Sequence, residues 1–154
     1  MKAKLSLVVF LIFSFAGQTI FAQTVPTQIK RFLDRNYKGW KLQKDKCYPD
    51  SPGKAVVKGN FNGDKKPDYA VKFVRGKKGF IIAFLAQGQN YKPFVLHNTG
   101  VKDVQTLSLD IWTDNSYELG GNNVRLKWDA ISDFRCESDV GGIHYYRNGK
   151  FIAY

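Results

Sequence analysis

The sequence predicts one α+β domain in which an N-terminal helix packs on a mostly antiparallel sheet of about eight strands. Two observations support this prediction. Residues 26–38 are the one substantial segment with the apolar spacing of an amphipathic helix. The rest of the mature chain consists of short apolar or alternating runs separated by turn residues. Because strands and helices do not alternate along the chain, we do not expect a parallel sheet of the nucleotide-binding kind.

Residues 1–22 have the composition of an export signal. Lys2 and Lys4 precede an apolar core, and Ala22 is the small residue expected at a cleavage site. A segment this short is not expected to be a stable membrane span, and an uncleaved anchor is the alternative. We therefore expect an exported protein, periplasmic or extracellular, with a mature domain over residues 23–154 and no membrane span after signal removal.

The predicted helix begins at Pro26, a residue that suits the first helical position. Its apolar residues share one face at i, i+3, i+4 and i+8: Ile29, Phe32, Leu33 and Tyr37. Gly39 is the expected C-terminal cap. A helix packed on a sheet fits this narrow stripe better than the alternative, a basic element at a membrane surface.

The strands follow a polar connection over residues 41–53. In chain order the predicted strand runs are residues 54–59, 69–74, 80–85, 91–97, 107–111, 124–128, 131–136, 143–147 and 150–154. The run 80–85 is continuously apolar, as expected of a central strand. Asn148-Gly149 is typical of a two-residue hairpin turn, and residues 113–123 are expected to form a polar loop.

The stretch from Asn60 to Asp68 has a chemical meaning beyond packing. Side-chain oxygens occur at its positions 1, 3, 5 and 9, in Asn60, Asn62, Asp64 and Asp68. This is the ligand spacing of a small calcium loop. Because the loop lies between two predicted strands, a metal there would stabilise a corner of the fold. The alternative is a metal-free turn in which Asn and Asp side chains accept hydrogen bonds from the backbone.

Residues 59–71, which read GNFNGDKKPDYAV, resemble the FG-GAP or VCBS-type motif, in which a D-x-N-x-D-x-x-x-D loop binds calcium between two strands. The resemblance implies calcium as a cofactor. Its ligands would be the side chains of Asn60, Asn62, Asp64 and Asp68 and the backbone carbonyl of Lys66. The chain departs from the family pattern at Asn60, where Asp is usual, and at Lys65, where Gly is usual. One copy of the motif is present, so the resemblance implies no propeller. The chain is also similar to small exported bacterial proteins of unknown function that carry a single such motif.

Cys47 and Cys136 are the two cysteines of the chain. In an exported protein an even number of cysteines favours a disulfide, with two free thiols as the alternative. No histidine lies near either cysteine in the sequence, so a catalytic thiol is not indicated.

The chain is basic, with a formal net charge of +11. Most of the basic surplus precedes residue 103, and this asymmetry can indicate an anionic partner such as an envelope polyanion. The alternative is that exposed lysines serve only to keep the strands soluble. Export argues against nucleic acid as the partner.

No catalytic constellation is visible in the sequence. His97 and His144 are far apart, and neither a Ser–His–Asp order nor an H-E-x-x-H helix occurs. Asp110, Asp114, Asn115 and Glu118 suggest a second cation site, but their spacing matches no ligand pattern, which favours a solvated loop. The sequence therefore favours a non-enzymatic exported domain with a calcium-type loop and a binding or interaction role in the envelope or outside the cell. A domain that binds envelope polyanions through a basic sheet face is the alternative. An envelope hydrolase is the weakest alternative.

Overall fold

The computed structural model describes residues 24–45, 47, 53–113, 116–119, 122–136, 138 and 140–154, so the predicted export signal lies outside the described residues. Its elements are α1 (Thr27–Asn36), β1 (Lys41–Leu42), β2 (Val56–Gly59), β3 (Asp68–Arg75), β4 (Lys78–Gln87), β5 (Asn90–Gly100), α2 (Val101–Gln105), β6 (Leu107–Trp112), β7 (Ser116–Leu119), β8 (Asn122–Arg125), β9 (Ala130–Arg135), β10 (Gly141–Arg147) and β11 (Lys150–Ala153). The strands pair antiparallel, which confirms the predicted α+β class.

The strands form two stacked sheets and a separate hairpin. The first sheet has the order β1-β3-β4-β5, with β2 also paired to β3. The second sheet has the order β11-β10-β9-β6, and β7 pairs with β8. Helix α1 covers one face of the first sheet, and the second sheet covers the other face. The described residues therefore form three layers: helix, first sheet and second sheet.

Helix α1 packs through the predicted apolar face. Ile29 and Leu33 are fully buried against Val71 and Phe73 of the first sheet. Pro26 precedes the first helical residue, and Gly39 has the left-handed φ of +80° that its role as a terminator requires. The helix ends at Asn36, two residues earlier than predicted.

The first sheet is buried on both faces because it is the middle layer. In β3, Val71 and Phe73 face the helix, whereas Ala70 lies in the core between the sheets. Lys72 also faces the second sheet and is fully buried, which is uncommon for lysine. Strand β4 is buried along most of its length, as predicted for a central strand.

The observed elements differ from the sequence prediction in their number and in some of their boundaries. The strands number eleven within the described residues, and α2 follows β5 directly. Val104 of α2 packs where a Cβ at Gly79 would overlap it, so this glycine permits the close approach. The predicted polar loop 113–123 contains β7 and the start of β8, and the predicted strand 124–128 ends at Arg125. Among the described strands, β7 and β8 pair only with each other.

Cys47 and Cys136 are joined by a disulfide, with their Cα atoms 5.1 Å apart, which confirms the predicted pairing. The bond connects the segment before β2 to the residue after β9, and so ties the first sheet to the second. None of the helices in the described residues has the length and apolar character needed to cross a membrane.

Candidate functional site

The calcium-type loop connects β2 to β3, and the side chains of its first three predicted ligands fold back over the loop backbone. The side-chain oxygens accept hydrogen bonds from backbone amides: Asn60 Oδ1 from Lys65 (3.2 Å), Asn62 Oδ1 from Asp64 (3.0 Å) and Asp64 Oδ1 from Lys66 (2.8 Å). Lys65 has a φ of 63°, a left-handed conformation that glycine adopts at lower cost than lysine. The loop therefore contains two consecutive Asx-type turns, at Asn62 and Asp64, and is closed by the longer-range contact of Asn60 with the Lys65 amide.

Asp68, the last of the predicted ligands, is buried where β3 begins. Its Oδ2 accepts a hydrogen bond from the Phe61 amide and its Oδ1 accepts one from the Ala86 amide, both at 2.8 Å. Burial raises the pKa of this carboxyl, against the opposing effect of the two amides. Asp68 thereby anchors the loop to the end of β4.

The donor set fits calcium in kind, because it offers two carboxylates and two amide oxygens to a hard cation. Each oxygen that accepts a backbone hydrogen bond retains a second lone pair. The observed hydrogen bonds are also those of the metal-free alternative. Calcium binding at Asn60, Asn62, Asp64, Lys66 and Asp68 thus stays a prediction.

The loop is docked on the segment Leu126–Asp129, which covers the outer face of the second sheet. The Asn60 amide donates to Asp129 Oδ2 at 2.8 Å. Gly63 lies against the Trp128 ring so closely that an added Cβ would be 2.7 Å from Cε3. Trp128 in turn stacks on Tyr145 of β10, with ring centroids 5.6 Å apart. These contacts connect the loop to the second sheet.

Two clefts flank this docked segment, and we call them the basic clefts. The first, a shallow and open depression of about 390 Å³, is lined by three lysines and four other residues: Lys58, Lys65, Lys66, Gly59, Asn60, Pro67 and Asp129. The second, of about 370 Å³, is lined by three cations and three aromatic side chains: Arg125, Lys127, Arg147, Trp128, Tyr145 and Tyr154. Within the described residues none of these six cations forms an ion pair.

For the second cation site considered at residues 110–123, the described residues provide no set of converging ligands. Asp110 instead forms an ion pair with Lys54 at 2.6 Å. Asp114 and Asn115 lie outside the described residues, and only the backbone of Glu118 is described.

A group that sequence reasoning missed lies between the two sheets: His97 on β5, Asp133 on β9 and His144 on β10. His97 Nε2 and His144 Nε2 both contact Asp133 Oδ2, the latter at 2.7 Å, and the two nitrogens are 3.3 Å apart. Asp133 and His144 are buried, whereas the His97 side chain is 30% exposed. The group, which we call the His–Asp–His cluster, is thus an internal site with one edge open to solvent.

Strand register explains why these side chains meet. His144 is paired with Ile131, and Asp133 lies two residues further along β9, so both occupy the face that packs on the first sheet. On β5 a bulge at Leu96 shifts the register and places His97 opposite Ile81, which faces the same layer. Asp133 and His144 occupy regular positions in their strands and His97 follows a bulge, but the convergence of all three depends on the stacking of two sheets.

The electrostatics of the layer between the sheets are dominated by Asp133 and Lys72. Burial alone would raise the pKa of Asp133, but hydrogen bonds from His144 and His97 hold it below its usual range. Lys72 Nζ donates to the Leu107 carbonyl, and burial lowers its pKa to about 8 despite the attraction of Asp45 and Asp133. This layer therefore contains ionisable groups within an otherwise apolar core.

A detectable signal for the His–Asp–His cluster was present in the sequence. The chain has two histidines, and both fall within predicted strands. What the sequence could not show was which strands become neighbours.

Comparisons of the chain with protein-family models, with curated proteins and with solved structures find no significant match.

Proposed function

We propose that this protein is an exported, non-enzymatic domain that binds an acidic polysaccharide through the basic clefts. One observation carries the proposal: six cations that have no ion-pair partner among the described residues line two clefts on either side of one segment. Clustered charge of one sign in a concave surface concentrates and attracts ligands of the opposite sign.

The arrangement of the clefts favours a ligand with repeated negative charges. Trp128 lines one cleft and its neighbour Asp129 lines the other, so the two clefts adjoin. Asp129 is the one carboxylate among the lining residues, and its Oδ2 is engaged by the Asn60 amide. A chain that crosses both clefts gains from two linked binding events, which raises its overall affinity above that of either cleft alone.

One aromatic residue of the second cleft favours a ring-bearing ligand. Tyr154 is partly buried and offers apolar surface beside Arg125 and Arg147. The Trp128 ring forms the floor of the cleft, because it contacts Gly63 and stacks on Tyr145. Neither cleft is lined by a histidine or a cysteine, which favours a binding role over nucleophilic catalysis. The disulfide fits an oxidising compartment outside the cytoplasm.

The first basic cleft borders the calcium-type loop. Asn60, Lys65 and Lys66 belong both to the loop and to the lining of the first cleft. We propose calcium as the cofactor that would hold this loop, and with it the first cleft, in one conformation.

Retention on immobilised heparin, with elution by a salt gradient, tests the proposal. The cleft variant carries Lys58→Glu, Lys66→Glu, Arg125→Glu and Arg147→Glu. A matched variant carries four charge reversals at exposed lysines elsewhere, Lys38→Glu, Lys77→Glu, Lys92→Glu and Lys102→Glu. We expect the wild type to elute at the highest salt, the matched variant at lower salt, and the cleft variant without retention.

Equal losses in the two variants would show that heparin responds only to net charge, and the proposal would then fail. Far-ultraviolet circular dichroism of both variants shows whether each is folded. If the cleft variant is unfolded, the pairs Lys58→Glu/Lys66→Glu and Arg125→Glu/Arg147→Glu test each cleft separately against the pair Lys77→Glu/Lys102→Glu. Polygalacturonate and dextran sulfate as soluble competitors then distinguish carboxylated from sulfated polysaccharides.

A further inference from the structure

The two histidines of the chain meet at one carboxylate, although 47 residues separate them. Their Nε2 atoms and an oxygen of Asp133 all lie within 4.8 Å of one another. In the described residues this is the one group of three or more His, Cys, Asp or Glu side chains with such convergence. Two imidazoles and a carboxylate aimed at one point are the donor set of a transition-metal site.

We infer that His97, Asp133 and His144 bind a divalent transition-metal ion, with zinc as the best match. The Nε2 atoms are 3.3 Å apart. Tetrahedral zinc with bonds of about 2.0–2.1 Å to nitrogen places neighbouring nitrogens about 3.3–3.4 Å apart. The imidazole pair therefore has the spacing of two zinc ligands before any ion is added.

The Asp133 carboxylate must withdraw slightly to admit the ion, because its Oδ2 now contacts both imidazoles directly. Within the described residues the two histidines are its only hydrogen-bond partners. The movement therefore disrupts no other hydrogen bond, and the ion replaces the contacts that it breaks.

The chemistry of the donors separates this site from the calcium-type loop. Calcium prefers oxygen ligands, whereas imidazole nitrogen suits zinc, copper, nickel and iron. Both cysteines are in the disulfide and cannot supply thiolates. The cluster thus has two nitrogens and one oxygen, and a four-coordinate ion would take its remaining ligand from solvent.

Exposure gives such an ion a route to the site. The side chains of Asp133 and His144 are 4% and 8% exposed, but that of His97 is 30% exposed. His97 lies on the first sheet, and the other two residues lie on the second. A bound ion would therefore link β5, at the edge of the first sheet, to the inner strands β9 and β10 of the second sheet, and would stabilise the native state more strongly the more tightly it binds.

Calorimetric titration of the untagged mature protein with ZnCl₂ tests the inference. We expect one ion per chain and a higher melting temperature with zinc, whereas MgCl₂ should give no heat at this site. His97→Gln should weaken zinc binding at least tenfold, because it removes one of three ligands from a partly exposed position that tolerates substitution. Asp34→Asn, at an exposed carboxylate of α1 that lies outside both the cluster and the basic clefts, should leave zinc affinity unchanged.

Two further measurements make the assignment specific. Co²⁺ should give the intense visible absorption of four-coordinate nitrogen and oxygen ligation, and His97→Gln should abolish it. His144→Gln and Asp133→Asn should also abolish zinc binding, with circular dichroism to establish that each is folded. If His97→Gln binds zinc as the wild type does, or if no zinc binds, the cluster is a hydrogen-bonded structural group and the inference is wrong. Because neither basic clefts nor heparin enters this test, its outcome is independent of the proposed polysaccharide function.

Discussion

Lys72 occupies a position that lysine rarely takes, because its side chain is fully buried between two sheets. Its Nζ donates to the Leu107 carbonyl and lies 4.0 Å from Asp45 Oδ2. Burial lowers its pKa to about 8, and the charges of Asp45 and Asp133 only partly oppose this effect. Between pH 8 and the usual lysine pKa, the unfolded chain therefore binds more protons than the folded chain does.

We expect the wild type to gain stability with rising pH relative to Lys72→Met. The native state no longer has to hold a buried charge once Lys72 is deprotonated, so the gain begins near pH 8. From pH 7 to about pH 9.5 it should reach about 2 kcal/mol, an order-of-magnitude figure for a buried group. Urea denaturation of both proteins across this range measures the difference. If the stabilities of the two proteins change with pH in the same way, the lowered pKa of Lys72 is wrong.

Asp64 and Asp68 are both predicted calcium ligands, but their structural roles differ. Asp68→Ala leaves the buried amide of Phe61 and the partly buried amide of Ala86 without an acceptor, so we expect a loss of about 2–4 kcal/mol in calcium-free buffer. Asp64→Ala removes an exposed hydrogen bond to Lys66 and should cost less than about 1 kcal/mol. Chemical denaturation with a chelator present provides the comparison. Equal losses would show that Asp68 does not anchor the loop.

At the scale of elements, the loop between β2 and β3 is the part whose stability should respond to calcium. We expect millimolar calcium to raise the melting temperature, since a ligand of the native state stabilises it by mass action. Asp64→Ala should abolish the gain, and Asn60→Asp should enlarge it by adding a charged ligand. Lys65→Gly should raise stability even without calcium, because residue 65 has a φ of 63°. An unchanged melting temperature in calcium would leave only the metal-free turn.

The docking of the same loop on Trp128 can be measured with a pair of glycines. Gly63 and Gly88 both have positive φ, but only Gly63 has a neighbour at the Cβ position. Gly88→Ala should therefore cost about 1 kcal/mol for its backbone conformation alone. Gly63→Ala should cost a further 1–3 kcal/mol or so, because the new methyl group must displace the Trp128 ring. In a Trp128→Leu background this excess should shrink. If the two alanine variants are equally stable, the loop does not pack on Trp128.

At the scale of the whole molecule, the disulfide joins residues that are 89 positions apart in the chain. Its removal in Cys47→Ser/Cys136→Ser frees the unfolded chain from that constraint, and the chain-entropy estimate for a loop of this length is about 4–5 kcal/mol. We expect the double variant to remain folded but to denature at much lower urea concentration. Thiol titration of the native wild type should detect no free thiol, and two titratable groups would contradict the pairing.

The sequence predicted features that depend on residues close together in the chain, but not those that depend on contacts between distant segments. The apolar stripe of α1, the buried run of β4 and the Asn148-Gly149 turn are local, and each was predicted. The disulfide followed from composition and compartment. The stacking of two sheets was not predicted, because alternation shows which side chains are buried and not what buries them. For the same reason the burial of Lys72 could not be predicted, and the His–Asp–His cluster could not be assembled from three separate strands.

The connectivity of the two sheets also has a consequence for folding kinetics. The first sheet is built largely from strands that are consecutive in the chain, whereas in the second sheet β6 must find β9 beyond the β7–β8 hairpin. Contacts between distant segments form later, because closing longer loops costs more entropy. We therefore expect the first sheet to assemble before the second sheet covers it, so that Lys72 stays hydrated until late. The free-energy cost of burying Lys72 then arises after the rate-limiting step of folding. Such a cost leaves the folding rate unchanged and accelerates unfolding. Lys72 would thus shorten the lifetime of the native state without delaying its formation.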